Sequence, residues 1–320
     1  MRAFLPPLLL LAAPVLAQDA APPVAPAAPE LLAFTDPDTR MTVPVRIADN
    51  GPYRFIIDTG AQRTVISREL AAALSLAKGH SVRLTAMSGT STEATVVIPS
   101  LAIDPTGAST VAGARIEAPA LAAANLGAAG LLGIDTLQGH AVSINFDTKV
   151  MAVTPSSKRR HHSDDALPGE IVVRARSLFG QLVVTDAWCA GTRVRVVLDT
   201  GSPVSMGNLA LAKRFARSGR TPVPIELTSV TGGKVAASYT QLPPVRIGDL
   251  TIEALPIAFS DAAPFRQFGL ADKPAILLGM DALQLFRRVE IDFANRELRL
   301  ALPRDAKRVP RDDGRAVAMR

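Results

Sequence analysis

Two copies of one tripeptide stand 141 positions apart: Asp58-Thr59-Gly60 and Asp199-Thr200-Gly201. Each ends an apolar run, Phe55-Ile56-Ile57 in the first and Val196-Val197-Leu198 in the second. A carboxylate is a general acid or base according to its proton, and two carboxylates in contact cannot both ionise. Such a pair shares one proton and offers both functions at once. One Asp-Thr-Gly in a chain of this length is expected about one time in ten at average composition. The repetition therefore carries more weight than the motif, and the question becomes what surrounds the two copies.

The surroundings repeat as well. Shifted by 141 positions, Met41–Ser67 lies on Leu182–Asn208 without a gap. Each copy then carries a hairpin pattern, Leu84-Thr85-Ala86-Met87-Ser88-Gly89 and Leu227-Thr228-Ser229-Val230-Thr231-Gly232. Each goes on to an apolar strand halted by glycine and followed by a short helix, Leu131-Leu132-Gly133-Ile134-Asp135 and Leu277-Leu278-Gly279-Met280-Asp281. Each closes on a further hairpin, Val142–Asp147 with Val150–Val153 and Val289–Phe293 with Leu298–Leu300. The first copy has extra Pro, Gly and Thr residues around Asp104–Ala112, read as a longer surface loop. Self-similarity at this scale means two lobes of one architecture.

The duplicated pattern of apolar-apolar-Asp-Thr-Gly-Ala/Ser, hairpin and Leu-Leu-Gly-x-Asp resembles the aspartic peptidases. The short lobes are similar to the retroviral, retropepsin-like branch, here fused as both halves of one chain. The resemblance covers both lobes and implies an all-β fold with short helices: two similar β-barrel lobes related by a pseudo-twofold axis. It implies hydrolysis of peptide bonds in an extended polypeptide, by a water activated between Asp58 and Asp199, with no metal, cofactor or covalent intermediate. Neither role is assigned permanently to one aspartate, because the proton belongs to the pair.

The resemblance also assigns neighbours. Thr59 and Thr200 match the threonines that bond to the opposite loop, and Gly60 and Gly201 let the backbone approach the carboxylates. Gly133 and Gly279 let the later strand pass close to the aspartate loop. The hairpin tips Met87, Ser88, Gly89, Thr90 and Val230, Thr231, Gly232, Gly233 match flaps that close over a bound peptide. One asymmetry stands out: the first loop continues with Ala61 and the second with Ser202. A hydroxyl beside a carboxylate can donate to it and favour its ionised form, so Asp199 is expected to be the more readily ionised member. Asp135 and Asp281 stand at short-helix starts, where a structural hydrogen bond is expected rather than catalysis. The alternatives are a peptide-binding module of the same fold that does not cleave, and an enzyme that first needs activation.

The rest of the chain bounds these readings. Its 320 residues are 48% hydrophobic and 20% charged, which excludes disorder for the bulk of the chain, and the length suits two domains. A single cysteine, Cys189, excludes a disulfide scaffold; beside Trp188 in an apolar stretch it reads as a buried, inert thiol. The net charge of +6 is thinly spread, with six basic and three acidic residues in Pro303–Arg320, and aromatic residues do not alternate with basic ones. Nucleic-acid binding is accordingly set aside.

Met1-Arg2, an apolar run to Leu16 and a small residue at Ala17 form the pattern of a secretory signal, expected to be removed after residue 17. No later apolar run approaches the length of a membrane span, so stable membrane insertion is not expected once the signal is cut. The expected order is signal 1–17, Ala/Pro-rich leader 18–30, first lobe 31–154, linker 155–169, second lobe 170–302 and basic tail 303–320. In a bacterial source this chain would be periplasmic or secreted, a monomer acting as an intramolecular pseudo-dimer. His161 and His162 in the linker are read as solvated, because His80 and His140 are the only other histidines and their spacing makes no closed metal site.

Overall fold

The computed structural model describes residues 42–103, 111–158, 169–178, 180–215, 221–302 and 317–319. The signal, the leader, most of the Asp104–Ala112 insertion, residues 159–168 of the linker with His161 and His162, and residues 303–316 of the tail lie outside them.

The apolar runs that precede the two aspartates explain the core. A strand with one solvated face alternates apolar and polar residues, whereas a strand covered on both faces is apolar throughout. Asn50–Ile57 ends in three buried residues: Phe55 and Ile57 enter the main core, and Ile56 joins a separate cluster with Val65, Leu121, Leu126 and Leu131. Thr192–Leu198 repeats this, with Val196 and Leu198 in the main core and Val197 in a second cluster that includes Leu227, Phe265, Phe268 and Leu277. Each aspartate therefore follows a strand clamped between its barrel interior and an outer apolar wall.

The first lobe is a barrel. Its strands run in the order Thr42–Ile47, Asn50–Ile57, Gly130–Leu132, Val65–Ser67, Val111–Leu121 and Thr95–Ile103, and the last pairs back to the first, with Val45 opposite Ile103. Ala77–Lys78 adds to the edge of Thr95–Ile103. The second lobe follows the same path, but its long hairpin is divided. Lys234–Gln241 stops before Pro243-Pro244 and pairing resumes at Val245–Ile247, because proline has no N–H to give the ladder. Pro99 marks the same bend in the first lobe, where the chain continues as one strand. At the far edge, Val317–Met319 pairs in parallel with Leu250–Ile252.

The lobes are joined by a five-stranded sheet. His140–Asn145 of the first closing hairpin pairs antiparallel with Arg288–Asp292 of the second, and Glu170–Arg174, entering the second lobe, adds to its outer edge. Val142, Ile144, Val289, Ile291, Leu298 and Leu300 from this sheet are buried in the same core cluster as both barrels. Beside it the Ser156 hydroxyl donates to the buried Asp292 carboxylate at 2.9 Å, tying the start of the linker to the second lobe. The architecture is two all-β lobes with short helices, related by duplication.

Candidate active site

Local hydrogen bonding builds each aspartate loop. Asp58 Oδ1 accepts from the N–H groups of Gly60 and Ala61, both at 2.9 Å, and Asp199 Oδ1 accepts from those of Gly201 and Ser202, both at 3.2 Å. The strand after the hairpins holds each loop from behind. The Asp58 N–H donates to the Leu132 carbonyl and the Asp199 N–H to the Leu278 carbonyl. In return Ile134 N–H donates to Ala61 and Met280 N–H to Ser202.

Gly133 and Gly279 stand where these strands touch. A methyl group on Gly279 would lie 2.7 Å from the Val204 carbonyl carbon, and one on Gly133 would strike the backbone of Arg63. Behind each, an aspartate organises the turn. Asp135 accepts from the Thr64 N–H and, at 2.7 Å, from its hydroxyl; Asp281 accepts from the Ser205 N–H and, at 2.6 Å, from its hydroxyl. Burial pushes the Asp281 carboxyl above its ordinary pKa, against the lowering effect of those Ser205 bonds.

Across the lobes the loops interlock. The Thr59 hydroxyl donates to the Leu198 carbonyl at 2.9 Å, and the Thr200 hydroxyl donates to the Ile57 carbonyl at 2.6 Å. Each threonine N–H donates to the other's hydroxyl oxygen at 3.1 Å, and both residues are buried. The carboxyls are brought together by this exchange. A methyl group on Gly60 would lie 2.8 Å from the Asp199 carboxyl carbon, and one on Gly201 would collide with the Asp58 carboxyl. Each carboxyl thus packs on the glycine whose N–H holds the other. Only glycine leaves that space free.

The Ser202 hydroxyl does not serve Asp199. Its proton goes to the Val204 carbonyl at 2.7 Å, which removes the physical basis for expecting Asp199 to be the more readily ionised partner. The side chain turns along its own loop, since a serine hydroxyl readily bonds a backbone carbonyl two residues away.

The two hairpin tips meet each other. Val82–Ala86 and Gly89–Glu93 pair around Met87-Ser88, and Val223–Thr228 and Lys234–Gln241 pair around Ser229–Gly233. Ser88 and Thr231 hydroxyls meet at 3.2 Å, and a methyl group on Gly233 would lie 2.6 Å from Ser88 Cβ. Gly89 takes φ +135° and Gly232 φ +84°, and the Thr85 and Thr90 hydroxyls close the first hairpin at 3.0 Å. Each tip docks on the opposite lobe. Met87 packs on the Phe265–Phe268 wall and its carbonyl accepts from Ala263 N–H at 3.3 Å; Val230 packs on the Leu121–Leu131 wall, with Gly232 beside Asn125.

One contact had no signal in the motifs. Gln181 of the second lobe is fully buried and its Nε2 donates to the Gly60 carbonyl at 3.0 Å. Cys189 is buried at the end of Gln181–Cys189, and burial pushes its thiol up to about 12. No helix among the described residues is long and apolar enough to cross a membrane.

No curated protein matches the chain. Among solved structures it is similar to a retropepsin-like aspartic protease from Rickettsia conorii, with 23% identity and a TM-score of 0.31 over 42% of this chain and 91% of that one. The family model described as aspartyl protease matches twice, over residues 43–136 and 185–282, so each match holds one Asp-Thr-Gly loop and its closing Leu-Leu-Gly strand. The two matches together span more than half of the chain, which belongs to the aspartyl protease family, with the family's pattern present in tandem.

Proposed function

We propose that the protein is an aspartic endopeptidase that hydrolyses peptide bonds of extended polypeptides through the Asp58/Asp199 pair. The observation that carries this reading is the crossed packing of each carboxyl on the opposite loop's glycine. Two carboxyls so placed share a proton. The ionised one takes a proton from a bound water, whose oxygen attacks the scissile carbonyl carbon. The protonated one polarises that carbonyl and gives its proton to the carbonyl oxygen. Collapse of the tetrahedral intermediate breaks the C–N bond: the leaving nitrogen takes a proton from the pair, a hydroxyl of the gem-diol returns its proton to the pair as it becomes the new carboxyl group, and one shared proton remains. The substrate lies extended between the lobes, beneath the tips Met87–Thr90 and Val230–Gly233, which exclude water once closed.

Incubation of the full chain with a mixed peptide library, read by mass spectrometry of the new termini, tests this. The wild type should cleave, Asp58→Asn and Asp199→Asn should each be inactive with unchanged folding, and a hydroxyl-containing mimic of the tetrahedral intermediate should bind tightly. Binding of the mimic without cleavage would favour a peptide-binding module instead. Residues 1–17 are proposed to direct export to the periplasm or the medium; a purified extracytoplasmic form beginning at Gln18 would support that.

A further inference from the structure

The Gln181 side chain is the one place among the described residues where a buried polar side-chain atom has no hydrogen-bond partner. That atom is Oε1. A buried, unpaired amide oxygen costs free energy comparable to a lost hydrogen bond, so a fold that keeps one asks for an explanation. An apolar residue of the same length would avoid the cost, yet the position holds a glutamine.

Its place narrows the explanation. Gln181 opens the strand Gln181–Cys189 and pairs with Leu178 across the turn at Gly180. Leu178 packs on the same apolar wall as Met87, the tip of the opposite hairpin, so this turn and that tip share one wall. The amide nitrogen is already committed to the Gly60 carbonyl, and Gly60 lies against the Asp199 carboxyl. The donor end of the amide is therefore anchored on the aspartate loop of the first lobe, and the acceptor end is held beside it with nothing to accept from. The asymmetry is written in the sequence: under the 141-residue shift the counterpart of Gln181 is Arg40, which has no acceptor to offer.

We propose that Gln181 is a substrate-positioning residue, whose Nε2 fixes the Gly60 carbonyl while Oε1 receives one backbone N–H of the bound polypeptide. This rests on the peptidase reading above. The bond forms only when an extended chain lies in the cleft, and it registers the backbone on one side of the Asp58/Asp199 pair only.

The experiment is an ester scan. A peptide cleaved by the wild type is resynthesised with each backbone amide near the cleaved bond replaced in turn by an ester, which removes one N–H. Each version is measured with wild type, Gln181→Met and Gln181→Leu. At a single position the wild type should lose about tenfold in kcat/KM, mainly through KM, and both variants should lose nothing further there. At every other position the three proteins should respond alike. Parallel losses at all positions, or a uniform fall in kcat with a lowered Tm, would mean that Gln181 only supports the fold and would overturn the proposal. A structure of the wild type with the hydroxyl mimic bound decides independently of the variants. A peptide nitrogen within about 3.2 Å of Oε1 supports the proposal, and a water in that place overturns it. Cleavage with parallel scans defeats this inference alone, whereas no cleavage and no mimic binding by the wild type defeats the peptidase reading together with it.

Discussion

The two aspartate loops and the two outer walls diverge to different degrees. The loops are copies: the threonine bonds to the opposite carbonyl and N–H, the aspartate bonds to the N–H groups two and three residues on, and the bonds of both turn-holding aspartates recur with distances within 0.3 Å of one another. The walls are not. The first is built from Ile56, Val65, Leu121, Leu126 and Leu131, and the second adds Phe265, Phe268, Met206 and Leu270 to a larger set. A hydrogen bond tolerates only a narrow range of distance and angle, whereas an apolar contact tolerates any shape that fills the space. Duplication therefore keeps the bonded centre symmetric and leaves the flanks free to differ.

Substitution at the symmetric centre should have the largest effect, and an equal one on both sides. Asp58→Asn and Asp199→Asn should each reduce cleavage by at least about 10³-fold, near the upper range for loss of acid–base catalysis. A tenfold or greater difference between them, measured on one substrate, would break the symmetry argued here. Gly60→Ala and Gly201→Ala should also inactivate, since the added methyl displaces the opposite carboxyl. Next come the threonines. Thr59→Val and Thr200→Val each leave a buried carbonyl without its donor and should each cost about 1–3 kcal/mol of stability in denaturant titration.

Smaller effects should report the asymmetric parts. Met87 is the larger side chain and docks on the larger wall, so Met87→Ala should raise KM more than Val230→Ala, with kcat the less affected. In the second lobe, burial raises the Asp281 carboxyl pKa, so between the unfolded and folded values the folded protein holds a proton that the unfolded chain has shed. That contribution favours the folded state below the ordinary carboxylate range and is lost as pH rises through the folded pKa. Asp281→Asn should flatten the decline in stability from acid toward neutral pH, seen as a smaller pH dependence of Tm. The smallest effect is expected from Ala61→Ser. By analogy with Ser202 the new hydroxyl should turn to the Arg63 carbonyl, leaving the pH profile of cleavage in place; a shifted profile would restore a role for the hydroxyl at the carboxylate.

Some of this was legible in the sequence for definite reasons. A strand covered on both faces must be apolar throughout, so Phe55–Ile57 and Val196–Leu198 announced where each aspartate would be clamped. Pro243-Pro244 carries no motif signal, yet its missing N–H groups break the second hairpin. The partner of the Ser202 hydroxyl was not legible, because Asp199 and Val204 are both within its reach along the chain and only the loop's dihedral angles choose between them. Nor was the exchange of hairpin tips, since Met87 and Val230 are apolar whichever wall they cover.

The sequence alone determined the duplication and the fold class and singled out the two aspartates, because all three are legible as local pattern repeated at a fixed interval. The tertiary structure alone decided which groups face one another across the two lobes: carboxyl against glycine, threonine against threonine, and Gln181 against Gly60. Spacing along a chain constrains neighbours a few residues apart, but a contact between residues more than a hundred positions apart depends on how the two barrels pack. That packing is set by the whole core at once.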